Sequence, residues 1–309
     1  MVYIVKKEVY QAFGLSVISE IPLPELPKMT KKEDHIDIVI ETADLSKLWS
    51  ELAPPQKKTV VEKDLFMFQV PKVAIFSIQK GERIIVSPMK GSDEDEIRLF
   101  ILGTCMGALL IQRKVLPLHG SALAITGKAY GFIGDSGAGK STLATALLSK
   151  GYQLLSDDVI AISFAHDNTP FVLPAYPQQK LWQESLQQFG MESNRYRPIY
   201  QRETKYAVPV PAKFSTETLP LAGLFELIKT ESENIEIHRI QSLERLQTLF
   251  LHTYRNFLIP RAGLMEWHFN TSVKIMNQIS IFKLRRPTSG FTAHQLAALI
   301  LTTLDEVKL

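Results

Sequence analysis

Apolar and polar positions along the chain change rhythm twice. Up to about residue 95 the apolar positions come in short alternating runs, at 2–5, 36–40, 65–70, 73–78 and 83–86, separated by turn-forming stretches such as IPLPELPK and QKGE. Period-2 runs bounded by Gly and Pro predict strands, and so a small β-rich domain over residues 1–95. A continuous apolar run, LFILGTCMGALLI at 99–111, then follows the acidic stretch SDEDE. The run is well short of the ~20 residues that a membrane-spanning helix needs, so a buried helix is expected. Ser92 or Asp93 can cap it, and the carboxylates suit the positive end of its dipole.

From residue 118 the pattern becomes strand, glycine loop, helix, strand. Strands are predicted at 122–126, 129–133 and 154–162, and a helix over 142–150 that stops at Gly151. Residues 170–220, dense in Pro, Tyr and Gln, read as loops and short helices around a site. Beyond them come strands at 221–228, 235–240 and 279–284 and helices at 243–251 and 292–304. The expected fold class is therefore α/β (mixed α+β), with a catalytic domain over 96–309.

Composition narrows the function. The 309 residues carry 35 Lys+Arg and 32 Asp+Glu, a formal charge of +3, with no long basic run. Such a balance argues against a nucleic-acid partner. The single cysteine, Cys105, excludes an internal disulfide and a cysteine metal cluster. With no resemblance to a secretory signal at the N-terminus and no membrane segment, a cytoplasmic protein is expected, and a homo-oligomer is compatible with the sequence.

Residues 134–141, GDSGAGKS, satisfy G-x-x-x-x-G-K-S. Gly134, Asp135, Ser136, Gly137, Ala138 and Gly139 would curl so that backbone N–H groups cradle a phosphate. Lys140 would reach the terminal phosphates, Ser141 would ligate magnesium, and Thr142 would continue the helix start that completes the nucleotide site. A phosphate loop does not name a reaction. The sharper feature is Asp157-Asp158 on the following strand: one carboxylate can act as base and the other hold metal, although a regular strand would turn them to opposite faces. His119, followed by a flexible Gly120, sits at the edge of the same sheet.

Taken together, LHGSALAITGKAYGFIGDSGAGKSTLATALLSKGYQLLSDDVIAI at 118–162 resembles the HPr serine kinase/phosphorylase family in its His-Gly, phosphate-loop and Asp-Asp elements. The resemblance implies a P-loop domain related to the HPr kinase C-terminal domain and to phosphoenolpyruvate carboxykinase. It also implies ATP and Mg²⁺ as cofactors, Asp157 as catalytic aspartate, Asp158 as its neighbour on the metal side with Ser141, and His119 as the active-site histidine. The family's later glutamate followed by Arg-Gly has no counterpart: the corresponding stretch reads PAYPQQKLWQESLQQFG, with Glu184 its only carboxylate. Arg202 and Lys205 stand as candidates for the substrate phosphate. YQAFGLSVISEIPLPEL, LPAYPQQKLW and KYAVPV are similar to HPr kinase-like proteins found beside lasso-peptide precursor genes, which implies a peptide acceptor with a C-terminal serine.

The reading is thus an ATP- and Mg-dependent serine kinase acting on a peptide or small protein, with Asp157 as base and Lys140 stabilising the transferred group. A kinase of a small hydroxylated metabolite, a nucleotide-gated peptide-binding module and a plain NTPase are the rivals. Tyr176, Tyr196, Tyr200, Tyr206 and Trp182 are candidates for an acceptor-binding wall. Arg255, Arg285 and Arg286 are further cations with no motif tying them to the site.

Overall fold

The computed structural model describes residues 8–29, 35–53, 56–199 and 202–307. The strand expected at 2–5 lies outside the described residues. The chain forms two compact units, one of residues 1–115 with 255–267, the other of residues 116–254 with 268–309.

In the first unit the strands are β1 (Glu8–Ala12), β2 (Leu15–Ser19), β3 (Ile38–Thr42), β4 (Thr59–Glu62), β5 (Leu65–Val70), β6 (Ala74–Gln79) and β7 (Arg83–Pro88). They make one sheet in the order β1-β2-β3-β7-β6-β5-β4. Side-chain alternation assigns its two faces. Met67, Ile75 and Ile85 pack with Leu48, Trp49 and Leu52 of α1 (Ser46–Leu52). On the other face Phe68 stacks on Phe76 at 4.8 Å, and both rings approach Phe100 at the end of α2 (Glu94–Phe100).

The apolar run at 99–111 continues from α2 through a π-helical turn, Ile101–Cys105, into α3 (Met106–Gln112). Asp93 is the cap, accepting from the Asp95 amide at 2.7 Å. Because this helix lays its aromatic end on the first sheet, the unit extends to Val115 and does not end near residue 95. No helix among the described residues is long and apolar enough to cross a membrane.

The second unit begins with β8 (Leu116–Ile125) and β9 (Lys128–Gly134), joined by Thr126 and Gly127, both at positive φ as a tight hairpin turn requires. Then follow α4 (Lys140–Ser149), β10 (Gln153–Phe164), β11 (Pro170–Leu173), β12 (Gln178–Trp182), α5 (Gln183–Gln188), β13 (Arg197–Ile199), β14 (Arg202–Pro209) and β15 (Leu219–Thr230). The chain closes with β16 (Glu236–Arg239), α6 (Glu244–Leu251), α7 (Leu258–Arg261), which belongs to the first unit together with the start of the next helix, α8 (Met265–Met276), β17 (Ser280–Pro287) and α9 (Ala293–Val307). The main sheet runs β11-β10-β8-β9-β15-β17-β16, and β12-β14-β13 form a small separate one.

Residues 170–220 hold the expected loops and short helical turns, α5 among them, but also β11 to β14 and the start of β15, strands that were not expected. Their prolines fall at strand ends and on short edge strands, the positions a sheet tolerates.

Beneath α4 and α9, Phe132, Phe225 and Phe282 stand side by side on the parallel strands β9, β15 and β17. Their centroids are 5.6 and 5.1 Å apart. Stacked pairs of this kind add about 0.5 to 1.5 kcal/mol each beyond the area they bury, and this ladder anchors β9 two residues before its glycine end. Gly120 is constrained, contrary to its expected flexibility: a Cβ there would lie 2.3 Å from the Phe132 carbonyl oxygen.

One buried histidine links this unit's stability to pH. The Thr253 hydroxyl donates to the Leu249 carbonyl at 2.7 Å, so its oxygen accepts from His268 Nε2–H at 2.8 Å. Burial pushes the His268 imidazolium down to about 4. The unfolded chain takes up the proton as pH falls through about 6.5, whereas the folded chain resists until about 4, so stability is lost across that interval. The expected loss from this residue is on the order of 3 kcal/mol, seen as a falling denaturation midpoint. His268→Gln should make the decline shallower.

Candidate active site

The phosphate loop is built where β9 ends. Gly134 has φ 146°, and a Cβ there would lie 2.5 Å from the Leu227 carbonyl oxygen of β15, so only glycine lets the two strands close. Gly139, at φ 105°, turns the chain into α4. The Lys140 ammonium donates to the carbonyls of Gly134 at 2.7 Å and Asp135 at 2.9 Å. Burial lowers its pKa to about 8, with Asp157 and Asp158 opposing. Arg286, from β17, donates through Nε to the Ala138 carbonyl at 2.8 Å, bracing the loop from outside. Beyond the loop, the Thr142 hydroxyl shares a 2.8 Å hydrogen bond with Ser185 of α5.

The two aspartates lie on β10 opposite Ser121 and Gly120 of β8. Asp157 Oδ1 accepts from the hydroxyls of Ser121 and Ser141, the latter at 2.9 Å, and Oδ2 accepts from the Lys180 amide at 2.8 Å. Burial pushes the Asp157 carboxyl up, and these hydrogen bonds offset only part of the effect.

Asp158 does not turn to the opposite face as a regular strand would require. Its φ is 81°, in the left-handed region, and both carboxylates line one cavity. Such a conformation costs about 1 to 3 kcal/mol in a residue other than glycine and marks a site where the surroundings impose it. Here they do. The Lys180 ammonium donates to Asp158 Oδ2 at 2.6 Å, and His119 Nδ1 lies 3.1 Å from the Asp158 carbonyl and 3.5 Å from its Oδ1.

These charges set each other's protonation. Burial would raise the Asp158 carboxyl, but the Lys180 ammonium and His119 together hold it well below the usual carboxylate range. Burial likewise opposes the Lys180 ammonium, yet Asp158 outweighs it and raises the group above its ordinary value. Burial brings His119 down to about 4, so the imidazole is neutral near pH 7. Both its Asp158 neighbours are acceptors, so Nδ1 carries the hydrogen and Nε2 is left as an acceptor.

The cavity they line has a volume of about 460 Å³, within the ~300 to 1,000 Å³ of small-ligand sites. His119, Ser136, Gly137, Gly139, Lys140, Ser141, Thr142, Asp157, Asp158, Glu184 and Lys205 all face it. Gly134, Asp135 and Ala138 support the loop through backbone groups. The side chain of Arg202 and all of Tyr200 lie outside the described residues.

Of the aromatic wall expected at 170–215, Trp182 alone among the described residues lines the cavity, beneath the Lys205 ammonium at 5.4 Å from its ring centre. Tyr196 and Tyr206 pack on a small core of Leu181, Leu186 and Val208, and Tyr176 is buried. Lys180 and Ser121, which sequence reasoning did not single out, join the site through Asp157 and Asp158, and Arg286, named there only as a cation with no motif, is brought to the loop. Lys180 lay within the quoted stretch QQKLW, but a lone lysine has no motif. Of the other arginines, Arg255 bonds Thr104 in the first unit, and Arg285 faces Glu236 at 3.7 Å.

The chain is 38% identical to the HPr kinase/phosphorylase of Mycoplasmopsis pulmonis (strain UAB CTIP) over 64 residues, which are 20% of this chain and 21% of that protein. It therefore spans about a fifth of that relative's length. A solved structure of the Hpr(Ser) kinase/phosphatase from Coxiella burnetii aligns with a TM-score of 0.32 and 17% identity, covering 62% of this chain and 95% of that one. No family model matches the chain.

The lowered Lys140 pKa predicts a pH signature. Affinity for a polyphosphate should fall as pH rises through about 8, because the ammonium loses its proton there. Lys140→Met should bind more weakly at every pH and show no such step, as titration calorimetry between pH 7 and 9.5 would reveal.

Proposed function

We propose that the protein is an ATP- and Mg-dependent serine kinase that passes the γ-phosphate to a serine hydroxyl of a peptide or small protein. The observation that carries this reading is the cavity itself: a phosphate loop with its lysine opens on the same space as two aspartates held by Lys180. The 64-residue similarity to an HPr kinase/phosphorylase supports it.

The protein's oxygen donors fit magnesium. Among the described residues no group of three or more His, Cys, Asp or Glu could hold a metal ion. Magnesium commonly takes one or two carboxylates and completes its shell with water and substrate phosphates. Ser141 and Asp157, already in contact, would hold it, and bound there it would neutralise charge on the phosphates.

This reading exchanges the roles expected for the two aspartates. Asp157 already accepts three hydrogen bonds, one of them from the metal-side serine, so it is the less free of the two to take a proton from an acceptor. Asp158 keeps 17% of its side chain exposed, ionised and open to the cavity. A serine hydroxyl is a weak nucleophile near pH 7, and a carboxylate within hydrogen-bond reach takes its proton as attack proceeds. The serine oxygen forms a bond to the γ-phosphorus, the bond to the β,γ-bridging oxygen breaks, ADP leaves, and the proton passes to Asp158. Lys140 and the loop amides stabilise the charge on the transferred group. Neutral His119 fixes the Asp158 backbone and offers Nε2 as an acceptor at the cavity. Trp182, Glu184 and Lys205, which line the cavity, would meet the acceptor, and Arg202 remains a candidate from the sequence alone. The finer proposal, drawn from the sequence resemblance, is the C-terminal serine of a lasso-peptide precursor.

The test combines acceptor and variants. Incubated with ATP, Mg²⁺ and serine-containing peptides, the protein should add the mass of one phosphate to a serine. The idea fails if only free sugars or amino acids gain phosphate, or if nothing does. Asp158→Asn should lower turnover by about 10² to 10³ while nucleotide affinity holds. Asp157→Asn should weaken Mg²⁺-dependent nucleotide binding itself. The reverse pattern would restore Asp157 as base.

A further inference from the structure

The cavity extends away from the aspartates, and its far side is chemically different. In the sheet order β10-β8-β9-β15-β17, Asp157, Asp158 and His119 belong to the β10 and β8 side of the phosphate loop, and β17 lies on the other. The chain leaving β17 passes Gly139 with the Arg286 side chain and then presents Gly290, Phe291 and Thr292 to the cavity before α9 begins. Lys229 of β15 and Arg286 keep the edge nearest the phosphate loop cationic, whereas beyond them Gly290, Phe291 and Thr292, with Ala293 and Leu296 of α9, carry no charge.

One aromatic ring, Phe291, lines this uncharged part, and two further rings touch it. Phe291 meets Phe189, just past α5, edge to face at 5.4 Å, and meets His294 at 5.7 Å. Phe189 and His294 lie 5.5 Å apart. His294 is exposed, and the two phenylalanines are only half-buried although they lie against the main core. Gln187 and Gln188 of α5 complete the rim.

We infer that Phe291, supported by Phe189 and His294, forms the subsite that stacks the nucleobase of the donor nucleotide. Purines are favoured over pyrimidines by their larger π-face, and adenine and guanine are treated alike. The inference rests on the nucleotide-dependent reading above and extends it to the base. The phosphate loop fixes one end of a nucleotide, the aspartates lie on the side of the transferable phosphate, and the nucleoside is left to run toward β17 and α9. A glutamine amide both donates and accepts, so Gln187 and Gln188 can meet either purine edge, and stacking sets the preference.

The experiment is a binding titration of the full chain with ATP, GTP, CTP and inorganic tripolyphosphate. The wild-type protein should bind ATP and GTP within a few-fold of each other and more tightly than CTP or tripolyphosphate. Phe291→Leu, which keeps apolar volume but removes the ring, should weaken ATP by about ten- to a hundredfold and leave tripolyphosphate affinity unchanged. His294→Ala, at an exposed position, provides a second variant that does not challenge folding and should weaken ATP by a smaller factor in the same selective way. Equal weakening of ATP and tripolyphosphate in Phe291→Leu, or no weakening of ATP in either variant, overturns the subsite. A wild-type protein that binds tripolyphosphate as tightly as ATP overturns the subsite while the phosphate loop stands. A protein that binds neither refutes the nucleotide reading and the subsite with it.

Discussion

The site depends on one lysine that holds two neighbouring carboxylates through different groups. Lys180 gives its backbone amide to Asp157 and its ammonium to Asp158. Two adjacent buried carboxylates repel each other and lose hydration, a combination that would ordinarily force a proton onto one of them. The lysine, two serine hydroxyls and a neutral histidine relieve that cost, and they come from β12, β8, α4 and β8 again. A short strand outside the main sheet thereby becomes essential to it. β12 belongs to the small three-stranded sheet, and its other end offers Trp182 to the same cavity.

Division of labour between the aspartates follows from this arrangement. Both are ionisable groups in the same low-dielectric region, yet their surroundings push them apart: Asp157 upward by burial, Asp158 downward against the Lys180 ammonium. Differences of this kind separate acid and base roles at sites that hold paired carboxylates. The backbone contributes as much as the charges, since a β-strand residue at ordinary φ would have sent one carboxylate to the other face of the sheet.

What could be read from residues alone was what is local. The phosphate loop, its helix and the apolar strand feeding it are consecutive, and the glycines, lysine and serine announce their geometry in eight positions. Asp93 as a cap and the strands at 65–70 and 83–86 are equally local. Lys180 and Arg286 could not be read, because the sheet order brings them to the loop from β12 and β17, and neither stands in a motif. The strands within 170–220 were hidden by prolines that signal loops in isolation but sit harmlessly at strand ends. How Asp158 comes to share the cavity with Asp157 was illegible for a different reason: period-2 alternation assumes regular φ, and the deviation is imposed by partners distant in sequence.

The left-handed backbone of Asp158 also shapes how this site can change over generations. Among residue types reached from an aspartate codon by a single base change, asparagine and glycine accept a φ of 81° most readily, whereas alanine, valine, tyrosine and glutamate carry side chains that resist it. A lineage that abandons the chemistry while keeping the fold is therefore channelled toward Asn or Gly at position 158. Loss of function here would leave a conformational signature in the genetic record, distinct from the scatter expected at a position constrained by charge alone.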